Sequence, residues 1–341
     1  MSKAKRQHLL PQFYLEYFSE NGKAWVVDFH SENKPYLTGI NNILCVSDFY
    51  TVATKDNPKD IRVEQKFSQV ESDAKPIINA IRNDMVLPQN TDKEKLAVFL
   101  ASLYVRSPRL RQTQLELFES FIKRRISSKP IYQRYAEQAE NPFDETTCKK
   151  ILDESIEGFI PKEEYVKTML QSWLTITAIF NYMTWSIYWA DSLKPERFIT
   201  GDFPFVIENK ENRKFEFPQY LFGNKYIRVF FPLSSLTCLA MEYNGTQEIR
   251  PVIPLTFIPI TNSQIAAHSQ RYVVSKTKNI YWYKGGHIYD SIELLHKEFY
   301  PDKLNETWTE VTNSRGHFEK ATPRTSWNKL KGDKPKDIEQ S

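Results

Sequence analysis

Met183-Thr184-Trp185-Ser186-Ile187-Tyr188-Trp189 is where the pattern of the chain changes. Before it, apolar residues return every three or four positions, the period of a helix with one buried face. Val166, Met169, Leu170, Trp173 and Phe180 make such a face over residues 162–183. Val63, Phe67, Val70, Ala74, Ile77, Ile78 and Ile81 make another over 61–83, with a kink expected at Pro76. From 184 onward the segments shorten, and β-branched and aromatic residues concentrate. Strands are predicted at 184–189, 197–200, 203–207, 226–231, 236–241 and 280–283, with one helical stretch at 263–274. Runs of helix followed by runs of strand predict an α+β fold rather than alternating βαβ units. The expected arrangement is a helical N-terminal half packed on a mixed or antiparallel C-terminal sheet, with one composite core.

Working outward, Thr91 and Glu94 fit a capping box, which predicts a helix carrying Leu96, Phe99, Leu100, Leu103 and Tyr104. Pro108 predicts a kink or a break. Helix then resumes over 110–126 and ends in Lys123-Arg124-Arg125, cations suited to a helix C-terminus. Pro11 suits the first turn of a short amphipathic helix, and 24–29 reads as a strand. Residues 127–150 read as a polar connection with short helix. Residues 320–341 are polar and Lys-rich, a composition expected to be disordered. The chain is thus expected to form a single domain over 1–319, helical to about 183 and β-rich from about 184.

The composition narrows the classes of function. Of 341 residues, 40% are hydrophobic and 26% charged, which fits a globular protein and excludes wholesale disorder. Only 10 glycines are present, which argues against Gly-rich phosphate loops and tight-turn solenoids. The net charge of +4 permits a nucleic-acid or other anionic partner without demanding one. Cys45, Cys148 and Cys238 lie far apart, giving neither a disulfide framework nor zinc spacing, as in a reducing compartment. The opening residues lack the apolar core of a signal peptide. The apolar run from 170 to 189 is broken by Gln171, Thr175, Asn181 and Ser186, so no membrane span is expected and a cytoplasmic location is.

Several short motifs stand in a fixed order. His8-x-x-Pro11-x-Phe13-Tyr14-Leu15-x-x-Phe18 opens the chain, followed by a short strand around Trp25-Val26, then Asp48-Phe49-Tyr50-Thr51. A helix with Glu64 and Glu71 and then Arg106-Ser107-Pro108-Arg109 follow. Later come Phe198-Ile199-Thr200-Gly201-Asp202-Phe203-Pro204, Asn262, Ala266 and Arg271-Tyr272. Over residues 7–290 this order resembles the bacterial domain of unknown function 4238 family. Two positions depart from the family pattern, which more often reads Thr-Ser-Asp-x-Pro: Gly201 stands for the serine, and Phe203 for a small polar residue. The family carries no assigned activity, so the resemblance implies architecture and marked positions rather than a reaction.

The polar residues in unusual places are the candidates for chemistry. Glu64 and Glu71 are two helical turns apart on the face that also carries Phe67 and Ala74. A carboxylate there requires a partner. Arg106, on the apolar side of the next helix, is the expected one. Two readings stand: a buried Glu71–Arg106 clamp, or an anion site in which Arg106 and Arg109 grip a phosphate or carboxylate. His8 could act as acid, base or ligand, or could satisfy a local backbone group. Asp202 could be a catalytic carboxylate at a strand end, or could pin its own loop through an Asx-turn before Pro204. The catalytic candidates are His8, Glu71 and Asp202, and the substrate-binding candidates are Arg106, Arg109 and Tyr14. They would belong to a hydrolase or nuclease acting on a phosphate-containing or nucleic-acid substrate. The alternative is a non-catalytic binding or regulatory module in which they are structural. Glu64-x-Lys66 and Glu208-x-Lys210 match fragments of metal nucleases, which would need a divalent metal as cofactor, although Asp202 lies closer to Glu208 than that core usually has. The remaining histidines show no metal spacing.

Overall fold

The computed structural model describes residues 6–47, 61–115, 162–212, 214–216, 221, 224–250 and 254–299. Asp48-Phe49-Tyr50-Thr51, Lys123-Arg124-Arg125, Cys148, the connection at 127–150 and the 320–341 tail lie outside the described residues. The N-terminal elements are β1 (Arg6–His8), α1 (Gln12–Glu16), β2 (Lys23–Asp28), β3 (Tyr36–Gly39) and β4 (Cys45–Ser47). Next come α2 (Arg62–Asp84), α3 (Asn90–Val105), helical residues 108–115 and α4 (Lys162–Tyr182). After them stand β5 (Thr184–Trp189), β6 (Thr200–Gly201), β7 (Val206–Asn209), β8 (Lys214–Glu216), β9 (Ile227–Pro232), β10 (Thr237–Glu242) and β11 (Ile249–Arg250). The described chain closes with α5 (Phe257–His268), β12 (Tyr272–Ser275), β13 (Trp282–Lys284), β14 (His287–Tyr289) and α6 (Ile292–Phe299).

Helices and mainly antiparallel sheets make the fold mixed α+β. A six-stranded sheet runs β11-β5-β10-β9-β7-β8, antiparallel except for the β11–β5 pair. β5, the stretch at which the periodicity changes, pairs over its whole length with β10, Ile187 opposite Leu239. A four-stranded antiparallel sheet runs β3-β2-β12-β6. This second sheet joins residues 23–39 to residues 200–201 and 272–275, so strands are spread along the chain rather than gathered after residue 183.

The helical layer centres on α3. From Leu96 to Val105 only Val98 is not fully buried, so this helix is apolar on all sides, as a helix enclosed by neighbours must be. It packs between α2 and α4, and the Trp173 indole N–H donates to the Val98 carbonyl at 2.9 Å. At its C-terminal end Tyr104 meets Phe180 of α4 and both Phe203 and Phe205, which lead into β7. Phe205 continues to Phe231 of β9, and Phe231 to Tyr14 of α1. Edge-to-face and stacked rings at 4.8–6.0 Å thus tie the helices to the larger sheet. Buried apolar residues from Leu9 to Phe299 form one cluster.

Several expectations need correction. The strand expected at 197–200 is only the bridge Thr200–Gly201, and that expected at 203–207 begins at Val206. The helix expected at 263–274 is α5, which starts at Phe257 and stops at His268; Tyr272–Ser275 is instead a strand between β2 and β6. The capping box is not formed: Gln89 is the N-cap of α3, with no side-chain cap. α2 runs through Pro76 to Asp84. Pro108 does mark a break. α3 ends at Val105, and the Ser107 hydroxyl caps the next helix by accepting the Leu110 N–H at 3.2 Å.

Gly201 is where β6 comes closest to the turn after α5. A Cβ there would run into the Ser269 hydroxyl and stand 2.8 Å from the Tyr272 carbonyl oxygen. Ser269 is held, since its hydroxyl donates to the Ile265 carbonyl at 2.7 Å. A serine at 201 therefore has no room in this chain. Gly201→Ala is expected to destabilise by about 1–3 kcal/mol through overpacking, measured by urea unfolding. Adding Ser269→Ala should recover only part of the loss, because the Tyr272 carbonyl is backbone and stays.

Candidate functional site

The expected polar residues fall into two centres. The first lies between α2 and α3. Arg106 is 2% exposed, and its Nη1 donates to Glu71 Oε1 at 2.7 Å while its Nε donates to the Ser102 carbonyl of its own helix at 3.2 Å. The guanidinium lies over the Phe67 ring, 4.6 Å from its centre. Glu71, Phe67 and Glu64 follow one another along a face of α2, as their spacing predicts. Glu64 in turn accepts a hydrogen bond from Gln7 of β1 at 3.2 Å. Arg106 Nη2 is buried and has no hydrogen-bond partner among the described residues. Arg109 is also buried. The helix ends between Arg106 and Arg109, and Arg109 belongs to the run capped by Ser107.

His8, beside Gln7 on β1, lies opposite Cys45 of β4. Its ring contacts the Cys45 thiol and the Gln12 side chain.

The second centre surrounds Asp202, which is 1% exposed. Its Oδ1 accepts the Gln270 N–H at 2.7 Å, and its Oδ2 accepts the N–H groups of Arg271 and Tyr272 at 2.7 and 2.9 Å. Three consecutive backbone donors converge on one carboxylate, each a charge-assisted hydrogen bond. The carboxylate clamps a distant segment, the link from α5 into β12. Arg271 extends the network. Its guanidinium grips Asp28 of β2 through Nε and Nη2, the shortest contact being 2.6 Å. Burial and the nearby Asp28 carboxylate together push the Tyr272 hydroxyl well above its ordinary value.

Tyr14 is wholly enclosed. Its hydroxyl donates to the Pro232 carbonyl at 2.7 Å and meets Thr200 Oγ1 at 3.0 Å, and burial holds its pKa well above the usual phenol range. The substrate-binding role expected of it has no surface through which to act; Tyr14 ties α1 to β6 and β9. Glu208 of the second Glu-x-Lys match faces Arg228 across β7 and β9, at 2.7 Å, and Lys210 pairs with Glu242. The match therefore belongs to two ion pairs, the first across neighbouring strands and the second from the turn after β7 to β10. Among the described residues, no three His, Cys, Asp or Glu side chains come together as a metal ion would require.

A family model described as a protein of unknown function, DUF4238, matches residues 6–279. The chain belongs to the DUF4238 family. No curated protein and no solved structure matches it. The marked DUF4238 positions act largely as ties between distant segments in this chain. Asn262 of α5 is an example: fully buried, it accepts the Ile199 N–H at 3.1 Å and donates to the carbonyls of Arg197 and Tyr281, both at 2.8 Å. Asn262 and Arg271 stand in the motif order, yet nothing in their local sequence announces a network. Asp28 and Cys45 carried no signal at all.

Removing one member of the Glu71–Arg106 pair leaves the other charge uncompensated. Arg106→Ala is expected to cost about 3 kcal/mol, at the lower end for a buried pair because Glu71 keeps 24% side-chain exposure. In urea unfolding, Glu71→Gln combined with Arg106→Ala should cost less than the sum of the two single changes. Additive losses would contradict a direct pair.

Proposed function

We propose that this chain is a non-catalytic binding or regulatory module whose conspicuous polar residues hold the architecture. The observation that carries this reading is the Asp202 carboxylate, buried and accepting three backbone N–H groups. Both oxygens are committed to positioning the start of β12. A general base needs an oxygen within reach of a substrate proton, and a metal ligand needs one aimed at the ion. The enclosed Tyr14 and the Glu71–Arg106 pair support the same reading. The apolar cluster that runs from Leu9 to Phe299 among the described residues favours one domain over 1–319. A cytoplasmic setting is part of it, supported by Cys45 and Cys238 being thiols rather than a disulfide.

One observation favours a second reading, a hydrolase or nuclease with an anionic substrate. The buried Nη2 of Arg106 has no hydrogen-bond partner among the described residues and could donate to a phosphate or carboxylate oxygen. Its charge, however, is already balanced by Glu71.

The two readings separate in one comparison. An asparagine at 202 offers only one acceptor oxygen, so Asp202→Asn should destabilise the fold by about 2–4 kcal/mol. The wild-type chain should leave single- and double-stranded DNA and RNA intact in the presence of Mg²⁺ or Mn²⁺. Metal-dependent cleavage, lost in Asp202→Asn at unchanged melting temperature, would overturn the proposal.

A further inference from the structure

The four-stranded sheet ends on one side at β3, whose residues Tyr36-Leu37-Thr38-Gly39 carry no charge. Edge strands usually bear charges, prolines or bulges that stop another strand from adding to them. Here the first two side chains are apolar and open to solvent, Tyr36 at 39% and Leu37 at 49% exposure. They point to opposite faces of the sheet. Leu37 lies opposite Trp25 of β2, and Lys278 stands over the Trp25 ring, so both belong to the Leu37 face.

The pairing with β2 fixes which backbone groups are left over. The Ile40 N–H donates to the Gly22 carbonyl at 3.1 Å, and the same register puts Thr38 opposite Ala24 and Tyr36 opposite Val26. In an antiparallel ladder, hydrogen-bonded pairs alternate with pairs that are not bonded. Tyr36 and Thr38 therefore bond to β2, while the N–H and C=O groups of Leu37 and Gly39 point outward. Among the described residues no strand lies on that side.

α6 delivers the chain to this edge. Its last residue, Phe299, packs on Phe29 just after β2, with 5.7 Å between ring centres, and His296 meets the Ser31 carbonyl at 3.0 Å. Both contacts are at the end of the sheet where β2 finishes and β3 begins. Residues 300–341 follow, outside the described residues. Their sequence includes Thr307-Trp308-Thr309-Glu310-Val311-Thr312, in which all but Glu310 are β-branched or aromatic, followed by the turn formers Asn313-Ser314.

We propose that residues 307–312 pair with the free edge of β3 as a fifth strand of this sheet. The chain from Phe299 to Thr307 spans about 26 Å when extended at ~3.3 Å per residue. A fifth strand stands two strand spacings, about 10 Å, from β2, so the reach is ample. Alternation puts Trp308 and Glu310 on one face and Val311 on the other. With Trp308 beside Leu37, Glu310 comes to the face that carries Lys278, and Val311 to that of Tyr36. A second copy pairing through β3 would have to build its interface from a four-residue strand, where a stable association needs about 800 Å² per partner. A segment of the same chain is instead held nearby by its short linker. While it is in place, β3 takes no strand from another molecule. Both α6 and the segment lie beyond the family match, which ends at residue 279.

The test is amide hydrogen exchange, read residue by residue in the full chain. The Leu37 amide should exchange about tenfold or more slower than in an unstructured peptide of the same sequence, as expected for an amide bonded at a sheet edge. The double variant Thr309→Pro with Glu310→Pro removes an inward N–H in any register, because neighbouring N–H groups of a strand point to opposite sides. In it Leu37 should return to the peptide rate, while Tyr36 and Thr38, bonded to β2, stay protected and report an intact sheet. Exchange of Leu37 at the peptide rate in the unaltered chain would overturn the proposal. So would protection that survives both prolines, or protection that rises with protein concentration, which marks a second copy.

Discussion

A buried carboxylate held by three successive backbone amides is the constraint on which the second half of this structure depends. Burying Asp202 without compensation would cost more than a domain of this size can spare. The donors are the N–H groups of residues 270–272, at the turn where α5 gives way to β12. The same turn is the closest approach of β6 and the point from which Arg271 reaches Asp28. β12 is consequently fixed in direction and register between β2 and β6, Val273 opposite both Val27 and Gly201. The four-stranded sheet joins the two ends of the described chain through that one strand.

The helical layer is attached by different physics. α3 is enclosed on all sides, and its link to the larger sheet is aromatic, through Tyr104, Phe203, Phe205 and Phe231. Phe203 follows Asp202 directly, so the residue that clamps β12 is adjacent to the residue that packs on α3. Arg106 lies two residues beyond Tyr104, and its pairing with Glu71 holds α2 against the same end of α3. The polar centres are thus both at places where layers meet. That is the distribution expected when buried polar groups specify how elements are joined, an idea better attested for register than for stability.

The sequence was most legible where the signal is local and periodic. The apolar face of α2 and the partnership of Glu71 with Arg106 follow from spacing alone, because the two side chains must meet if two apolar helix faces do. β5 was legible because five of its six residues, Thr184, Trp185, Ile187, Tyr188 and Trp189, carry β-forming side chains. α5 was misplaced for a physical reason. Thr261, Asn262, Ser263 and Gln264 are polar yet buried, engaged in part with loop backbone, so the usual equation of polar with exposed shifted the apparent helix toward Ala266 and beyond. For Asp202 the sequence suggested a strand-end catalytic role or a local turn before Pro204, whereas these partners are 68–70 residues away. Tyr14 and Thr200 are 186 residues apart. Neither connection has a local signature. The cluster of His8, Gln12 and Cys45 is similar: the pairing of β1 with β4 brings the thiol to the ring, and the spacing of three residue types along the chain could not reveal it.

The most direct test of the architectural role of Asp202 is amide hydrogen exchange at Gln270, Arg271 and Tyr272 in the native chain. If the carboxylate is a permanent clamp, these three amides open only with the fold, and their protection equals that of the β2–β12 ladder. If Asp202 instead turns outward to serve a ligand or a reaction, they will exchange as fast as surface-turn amides while the ladder stays protected, and the account given for this residue will be wrong.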